Sequence, residues 1–255
     1  MTIAISVELS HVCPLDEIGR QAEALEQNGF YRVWVPDTSA SPWEVWLAAG
    51  RVAQRTRRIR IGLGVTNPFT RHPFVLAQAA ASLQGLCGGR LALSIGKGIP
   101  RFFEKAGIET YPSGVEECIT IVRDLIAGER VSHDGPAFRI DGLRLRTIPP
   151  ETPVPIYLAA VSPESWRSAL RVADGVATFW SEEAAANREQ AMTERTLPTA
   201  ALAAFSLSEE AFFPGTLQTL DALRERIDQM DRAGFDEVIV AYRDLSDLEA
   251  AGTLV

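Results

Sequence analysis

Short apolar runs alternate with amphipathic stretches from one end of the chain to the other. Residues 3 to 8, Ile-Ala-Ile-Ser-Val-Glu, read as a strand that ends at Glu8. Leu15, Ile18, Ala22 and Leu25 then recur at three- and four-residue steps, the spacing of a helix with one buried face. Gly29 stops that helix, because glycine accepts the left-handed conformation of a helix terminus at little cost. A second strand follows at once, Tyr31-Arg-Val-Trp-Val-Pro, and runs into Asp37-Thr38. A helix over about 42 to 54 leads to a third strand, 59 to 65, which runs into Thr66-Asn67-Pro68. Pro73 suits the first turn of the next helix, 73 to 86. A fourth strand, 91 to 95, ends in Gly96-Lys97-Gly98.

The alternation pauses after an amphipathic helix at 113 to 127. Residues 128 to 150 carry Asp-Gly pairs at 134 and 141 and predict an inserted hairpin. Pro153 and Pro155 return the chain to a fifth strand at Ile156, followed by a helix over 163 to 173 and a sixth strand over 175 to 179. Residues 181 to 213 offer a polar helix and a possible strand at 199 to 206. Leu220, Leu223, Ile227 and Met230 form the last helix, which Gly234 stops before a final strand at 238 to 242.

Strands joined through helices must run parallel, because a parallel pair needs a crossover. Gly29-Phe-Tyr-Arg-Val-Trp-Val and Gly234-Phe-Asp-Glu-Val-Ile-Val are one helix-stop-to-strand device used at both ends of the chain. That echo fits a (β/α)8 TIM barrel, in which one unit recurs around a ring. An open doubly wound sheet would also accommodate it, but no Gly-x-Gly-x-x-Gly turn follows the first strand. The expectation is one domain over residues 1 to 255.

Composition narrows the function. The 255 residues are 46% hydrophobic, enough for one large core, and the formal net charge is −8, which argues against nucleic acid. Arg55, Arg57, Arg58 and Arg60 cluster where a helix ends and a strand begins, a place that suits cations. Three cysteines without metal-like spacing read as free thiols in a cytoplasmic protein. No run approaches eighteen apolar residues, so no membrane span is expected.

Ligands of parallel barrels sit at the carboxyl ends of the strands, and the polar residues of this chain gather there. Asp37 is either an acceptor for a cofactor or substrate, or a turn residue. Gly64-Val65-Thr66-Asn67 either lets the backbone approach a ligand or ends the strand before a proline turn. Gly96 and Lys97 could hold an anion or mark a strand–turn junction. Ala159, Ala160, Val161 and Ser162 lead into a helix whose N–H groups could bind phosphate, with Ser162 as an ordinary cap the alternative. Glu8 and His11 fall at the first strand end, His72 at a helix start and His133 in the hairpin. No nucleophile–histidine pairing or metal cluster emerges, which favours an enzyme whose cofactor does the chemistry.

Taken in order, these pieces resemble the bacterial luciferase-like family of flavin and deazaflavin oxidoreductases. The carriers are Gly-Phe-x-x-Val-Trp-Val-Pro-Asp at 29 to 37, Arg-Ile-x-Ile-Gly-x-Gly-Val-Thr-Asn-Pro at 58 to 68, and Arg-His-Pro at 71. Gly-Gly-Arg-Leu-x-Leu-x-Ile-Gly-x-Gly at 88 to 98, the hairpin before the strand at 154, Ala-Asp-Gly-Val at 173 and Gly-Thr-Leu-Gln near 215 complete them. The resemblance implies a barrel with coenzyme F420, or alternatively FMN, over its strand ends. It implies Asp37 beside the ring, a non-proline cis bond at Gly64-Val65, Thr66 and Asn67 on the same face, and phosphate at Ala160, Val161 and Ser162. Trp43 and Trp180 would shape a substrate pocket with Glu8 and His11, and Asp37 or Thr38 would relay a proton.

Two departures stand out. Many relatives carry His after the strand-two Asp, and sugar-phosphate dehydrogenases of the family use it as a base; here Thr38 stands there, which fits a reductase better. The chain is also shorter than typical members, and the shortfall maps within about 181 to 214, predicting a contracted barrel. The implied activity is hydride transfer to or from a small organic substrate. The alternatives are a reduced-FMN monooxygenase and a non-catalytic flavin-binding or subunit homologue. Family barrels often pair through the helices after strands two and three, and Ala77, Ala79, Ala80 and Ala81 there predict a homodimer.

Overall fold

The computed structural model describes residues 3–9, 13–38, 43–193, 195–208, 213 and 215–254. Eight parallel strands close into a barrel: β1 (Ala4–Glu8), β2 (Arg32–Val35), β3 (Arg60–Thr66), β4 (Leu91–Ile95), β7 (Ile156–Ala159), β8 (Gly175–Phe179), β9 (Thr199–Phe205) and β10 (Glu237–Tyr242). The ring closes where Glu8 lies opposite Ala241 on one side and Trp34 on the other. An antiparallel hairpin, β5 (Val131–Asp134) with β6 (Arg139–Leu143), stands outside the ring, as the Asp-Gly pairs predicted.

Helices α1 (Leu15–Gln27), α2 (Val45–Arg55), α3 (Pro73–Leu86), α5 (Gly114–Ile126), α6 (Pro163–Val172), α7 (Glu182–Ala191) and α8 (Leu220–Arg232) form the outer layer. Two short helices, α4 (Pro100–Ala106) and α9 (Leu245–Ala251), have no counterpart in the sequence reading. At about two turns each they carry too few positions for a period to show. The predicted contraction removes no strand, because β9 completes the ring. The short stretch after β9, residues 206–219, holds no helix among its described residues.

Alternation along each strand divides the core in two. Outward residues such as Val7, Val33, Leu93 and Val240 pack under the helices, where Ile18, Val52, Leu76 and Ile119 meet them. Inward residues Trp34, Ala92, Tyr157, Ala177, Ala200 and Ile239 fill the barrel. Trp34 needs the space opposite it: a Cβ on Gly62 would lie 2.3 Å from its ring. Below Trp34, towards the amino ends of the strands, Arg32 Nη1 lies 3.1 Å from Glu237 Oε2, both side chains being buried. Trp34 Nε1 donates to Glu237 Oε1 at 2.8 Å, and the guanidinium sits 5.1 to 5.5 Å from the rings of Tyr31, Trp34 and Tyr157. This end is therefore plugged, and ligands of such barrels bind at the opposite, carboxyl end.

The arginine cluster belongs to the frame. The Glu26 carboxylate accepts from the backbone N–H groups of Arg57, Arg58 and Ile59, and these bonds hold its pKa down against the upward pull of burial. His133 Nε2 lies 2.8 Å from Glu117 Oε2, which also accepts from Phe138 N at 3.1 Å, so His133 anchors the hairpin. His72 caps α3 through Nδ1, 3.2 Å from Phe74 N. Cys13, Cys87 and Cys118 are buried free thiols.

Candidate active site

Small side chains line much of the upper lumen of the barrel, with Glu8, Leu202 and Phe179 the larger inward residues. Following the inward positions around the ring gives Gly64 on β3, Ser94 and Gly96 on and after β4, Ala159 on β7, Ala204 on β9 and Ala241 on β10. The packing requires them: a Cβ on Gly64 would lie 2.5 Å from Ser94 Cβ. One on Gly96 would lie 2.7 Å from Val65 Cγ1 and 2.8 Å from Ala159 Cβ. Val65 itself is 37% exposed, and the Gly64–Val65 peptide bond is cis. Ser94 Oγ is buried without a hydrogen-bond partner.

Glu8 points into this lumen from the end of β1, on the inward face it shares with Ser6. Burial raises its carboxyl to about 7, so it keeps its proton to near-neutral pH. Asp37, just beyond β2, accepts from Thr66 Oγ1 at 2.6 Å and from Arg71 Nη1 at 2.6 Å, both at Oδ2. Arg71 Nη2 reaches Glu44 Oε1 at 2.6 Å. Burial raises the Asp37 pKa, the Thr66 hydroxyl and Arg71 oppose that rise, and the net shift is upward. Thr38 follows, half-buried at the rim.

Other predicted residues are engaged within the chain. Asn67 Oδ1 accepts from Phe69 N and Thr70 N at 3.0 and 2.9 Å, so it shapes the turn after β3. Lys97 is exposed beyond β4. Ala160 N donates to Ala177 O at 2.9 Å. Val161 N and Ser162 N both donate to Ser165 Oγ, at 3.0 and 2.9 Å, within the capping box that starts α6. A phosphate on those two amides would have to displace a neutral hydroxyl. Trp43 Nε1 donates to the Cys13 carbonyl at 2.6 Å and ties the loop before α2 to the loop after β1. His11 lies outside the described residues.

Trp180 does not line the mouth. It turns outward between α7 and α8, edge-on to Phe235 with ring centroids 5.5 Å apart and with Arg226 over its face. Alternation along β8 decides this, because Phe179 takes the inward position beside it. Phe179 is 47% exposed and stacks on Phe213 at 5.2 Å. The sequence reading missed Phe179, Arg71, Glu44 and Ser165. The inward register Gly175, Ala177, Phe179 carried the signal for the first. The others act through loop geometry that no periodicity encodes.

Comparison with known proteins bears on this geometry. A sequence model of the luciferase-like monooxygenase family matches residues 2–197. The chain belongs to that family. It is 38% identical over 187 residues to the F420-dependent hydroxymycolic acid dehydrogenase of Mycobacterium tuberculosis, a match covering 67% of this chain and 51% of the relative. It is 31% identical over 210 residues to the 5,10-methylenetetrahydromethanopterin reductase of Methanolobus tindarius, covering 78% of this chain and 64% of that protein. The chain thus spans between half and two thirds of the length of these curated relatives. Among solved structures, the coenzyme F420-dependent tetrahydromethanopterin reductase of Methanopyrus kandleri superposes with a TM-score of 0.83 at 19% identity, covering 100% of this chain and 99% of that one. The eight-stranded barrel is thus the fold shared with that solved structure. The family model ends at residue 197, so β9, α8 and β10 are assigned to the barrel by the structure.

Proposed function

We propose that this chain binds coenzyme F420 across the carboxyl ends of its strands and uses it to reduce a small organic substrate at a C=C or C=N bond. The observation that carries the reading is the 38% identity over 187 residues to a relative named for F420. The residues of the mouth fit a planar, largely apolar ring. The absence of side chains at Gly64 and Gly96 lets Ser94, Val65 and Ala159 pack closely there, and Val65 offers an exposed apolar surface beside them. Lys97 supplies an exposed cation for an anionic tail, and the Val161 and Ser162 amides become donors to phosphate once Ser165 Oγ rotates away.

Bound there, the deazaflavin would supply the hydride from its C5. The protein's part is position and the proton. Glu8, protonated up to about pH 7, is set in the floor of the mouth to give a proton to the atom that does not receive the hydride. Asp37 and Thr66 join the ends of β2 and β3 and hold the rim in one geometry. Thr38 lacks the basicity of an imidazole, which supports reduction over alcohol oxidation.

The chain is further proposed to form a homodimer in the cytoplasm. Of the four alanines expected to carry the pairing surface, Ala77, Ala80 and Ala81 are buried and Ala79 is half-buried. The exposed face of α3 is instead Val75, Gln78, Ser82 and Leu86, without a charge, and Leu47 of α2 is exposed on the neighbouring helix. Among the described residues no helix is long and apolar enough to cross a membrane.

Separate titrations with F420 and FMN, followed by fluorescence quenching, test the cofactor. Micromolar binding of F420 with no comparable binding of FMN is expected. Binding of FMN alone would move the chain to the monooxygenase reading, and binding of neither would favour a non-catalytic homologue.

A further inference from the structure

Apolar side chains exposed to solvent are not spread evenly over this protein. Of the eleven large ones among the described residues, six stand beyond or at the carboxyl ends of the strands: Val65, Ile99, Val161, Phe179, Leu207 and Phe213. Strand register makes several of them neighbours. Val65 and Ala159 flank the same face of Gly96, and Phe179 holds the inward position two residues beyond Ala177, the partner of Ala159. Phe179 and Phe213 stack with ring centroids 5.2 Å apart and 26° between ring planes, an aromatic pair open to solvent at the end of β8. An exposed apolar surface of this kind, at the carboxyl ends of barrel strands, stands where ligands of the fold bind.

Charge points the same way. Arg71, on the β2–β3 side of the rim, has one end on Asp37 and the other on Glu44, so both of its ends are taken. Two phenyl rings offer a phosphate or carboxylate nothing in place of its hydration, so a charged group against this wall would lose that hydration uncompensated.

We infer that Phe179 and Phe213 form the wall that holds the substrate, and that they select an uncharged substrate with an apolar body rather than a phosphorylated or carboxylated one. The inference rests on the proposed reading of the mouth as the active site and adds the chemical class of what enters it. Stacked aromatic pairs give a flat apolar body edge and face contacts beyond simple burial.

The test uses 2-naphthol as an uncharged apolar probe and 2-naphthyl phosphate as its charged counterpart, each titrated by calorimetry with and without F420. Wild-type protein is expected to bind 2-naphthol more tightly than the phosphate. Phe179→Ala and Phe213→Ala are each expected to weaken 2-naphthol about five- to tenfold, with Phe179→Tyr close to wild type and thermal unfolding confirming that the variants fold. No binding of 2-naphthol by the wild type, tighter binding of the phosphate, or affinity in both alanine variants within about twofold of wild type would overturn the inference. Failure of F420 to bind would count against the cofactor reading instead, because the wall is judged on the naphthol titration alone.

Discussion

Thr66 Oγ1 donates to Asp37 Oδ2 at 2.6 Å, joining the last residue of β3 to the loop that follows β2. The same oxygen receives Arg71 Nη1, so one carboxylate gathers two loops and a helix start at the mouth. Thr66→Val should cost about 1 to 3 kcal/mol in urea unfolding, because it leaves a largely buried carboxylate short of a donor. It should also raise the Asp37 pKa further, since the hydroxyl is one of the groups that hold it down. A carboxyl with a raised folded-state pKa loses its stabilising contribution as pH climbs from the unfolded value through the folded one. The variant should therefore lose stability over a wider pH range above the ordinary aspartate value than the wild type does.

Much of this architecture was legible from the chain. The period of Leu15 to Leu25, the Gly29 and Gly234 stops and the Asp-Gly pairs of the hairpin each report a local rule, and the structure obeys them. The rim was legible only in part. Asp37 and Thr66 sit where strand ends predict, but Arg71 reaches back from the residue before the α3 cap, and the sequence does not state that reach. Trp180 was misplaced for a related reason: both it and Phe179 are aromatic, and only the inward register of β8 separates them.

Glu8 gives a pH signature. Burial raises its carboxyl from 4.5 to about 7, so the folded state holds a proton between those values that the unfolded chain releases. Wild-type stability from this group is present below about pH 4.5 and is lost as pH rises towards 7. Glu8→Gln should flatten that part of the stability profile. In turnover with reduced F420, the wild type should lose activity as pH rises past about 7, and Glu8→Gln should lose most of its rate without that inflection.

Gly96 tests the packing of the mouth. An added methyl would meet Val65 Cγ1 at 2.7 Å and Ala159 Cβ at 2.8 Å. Gly96→Ala should cost about 1 to 3 kcal/mol, the usual penalty for overfilling a packed site. Because Val65 must shift to admit the methyl, F420 affinity should drop by about tenfold, roughly 1.4 kcal/mol of binding. Fluorescence titration alongside thermal unfolding separates the two effects.

The closed end of the barrel should matter for stability and not for the cofactor. Arg32→Met would leave Glu237 buried with Trp34 Nε1 as its remaining named donor. Breaking a buried pair from one side costs about 3 to 5 kcal/mol. Denaturant unfolding should register that loss, while the F420 dissociation constant of the folded fraction stays within about twofold of wild type.

The central claim is that F420 sits in the mouth of this barrel, and a crystal structure of the complex tests it most directly. The deazaflavin ring is expected against Val65, above the small side chains of Gly64, Gly96 and Ala159, with Glu8 on the lumen side and the phosphate towards Ser162. F420 bound elsewhere on the chain, or a mouth that stays empty at saturating F420, would contradict it.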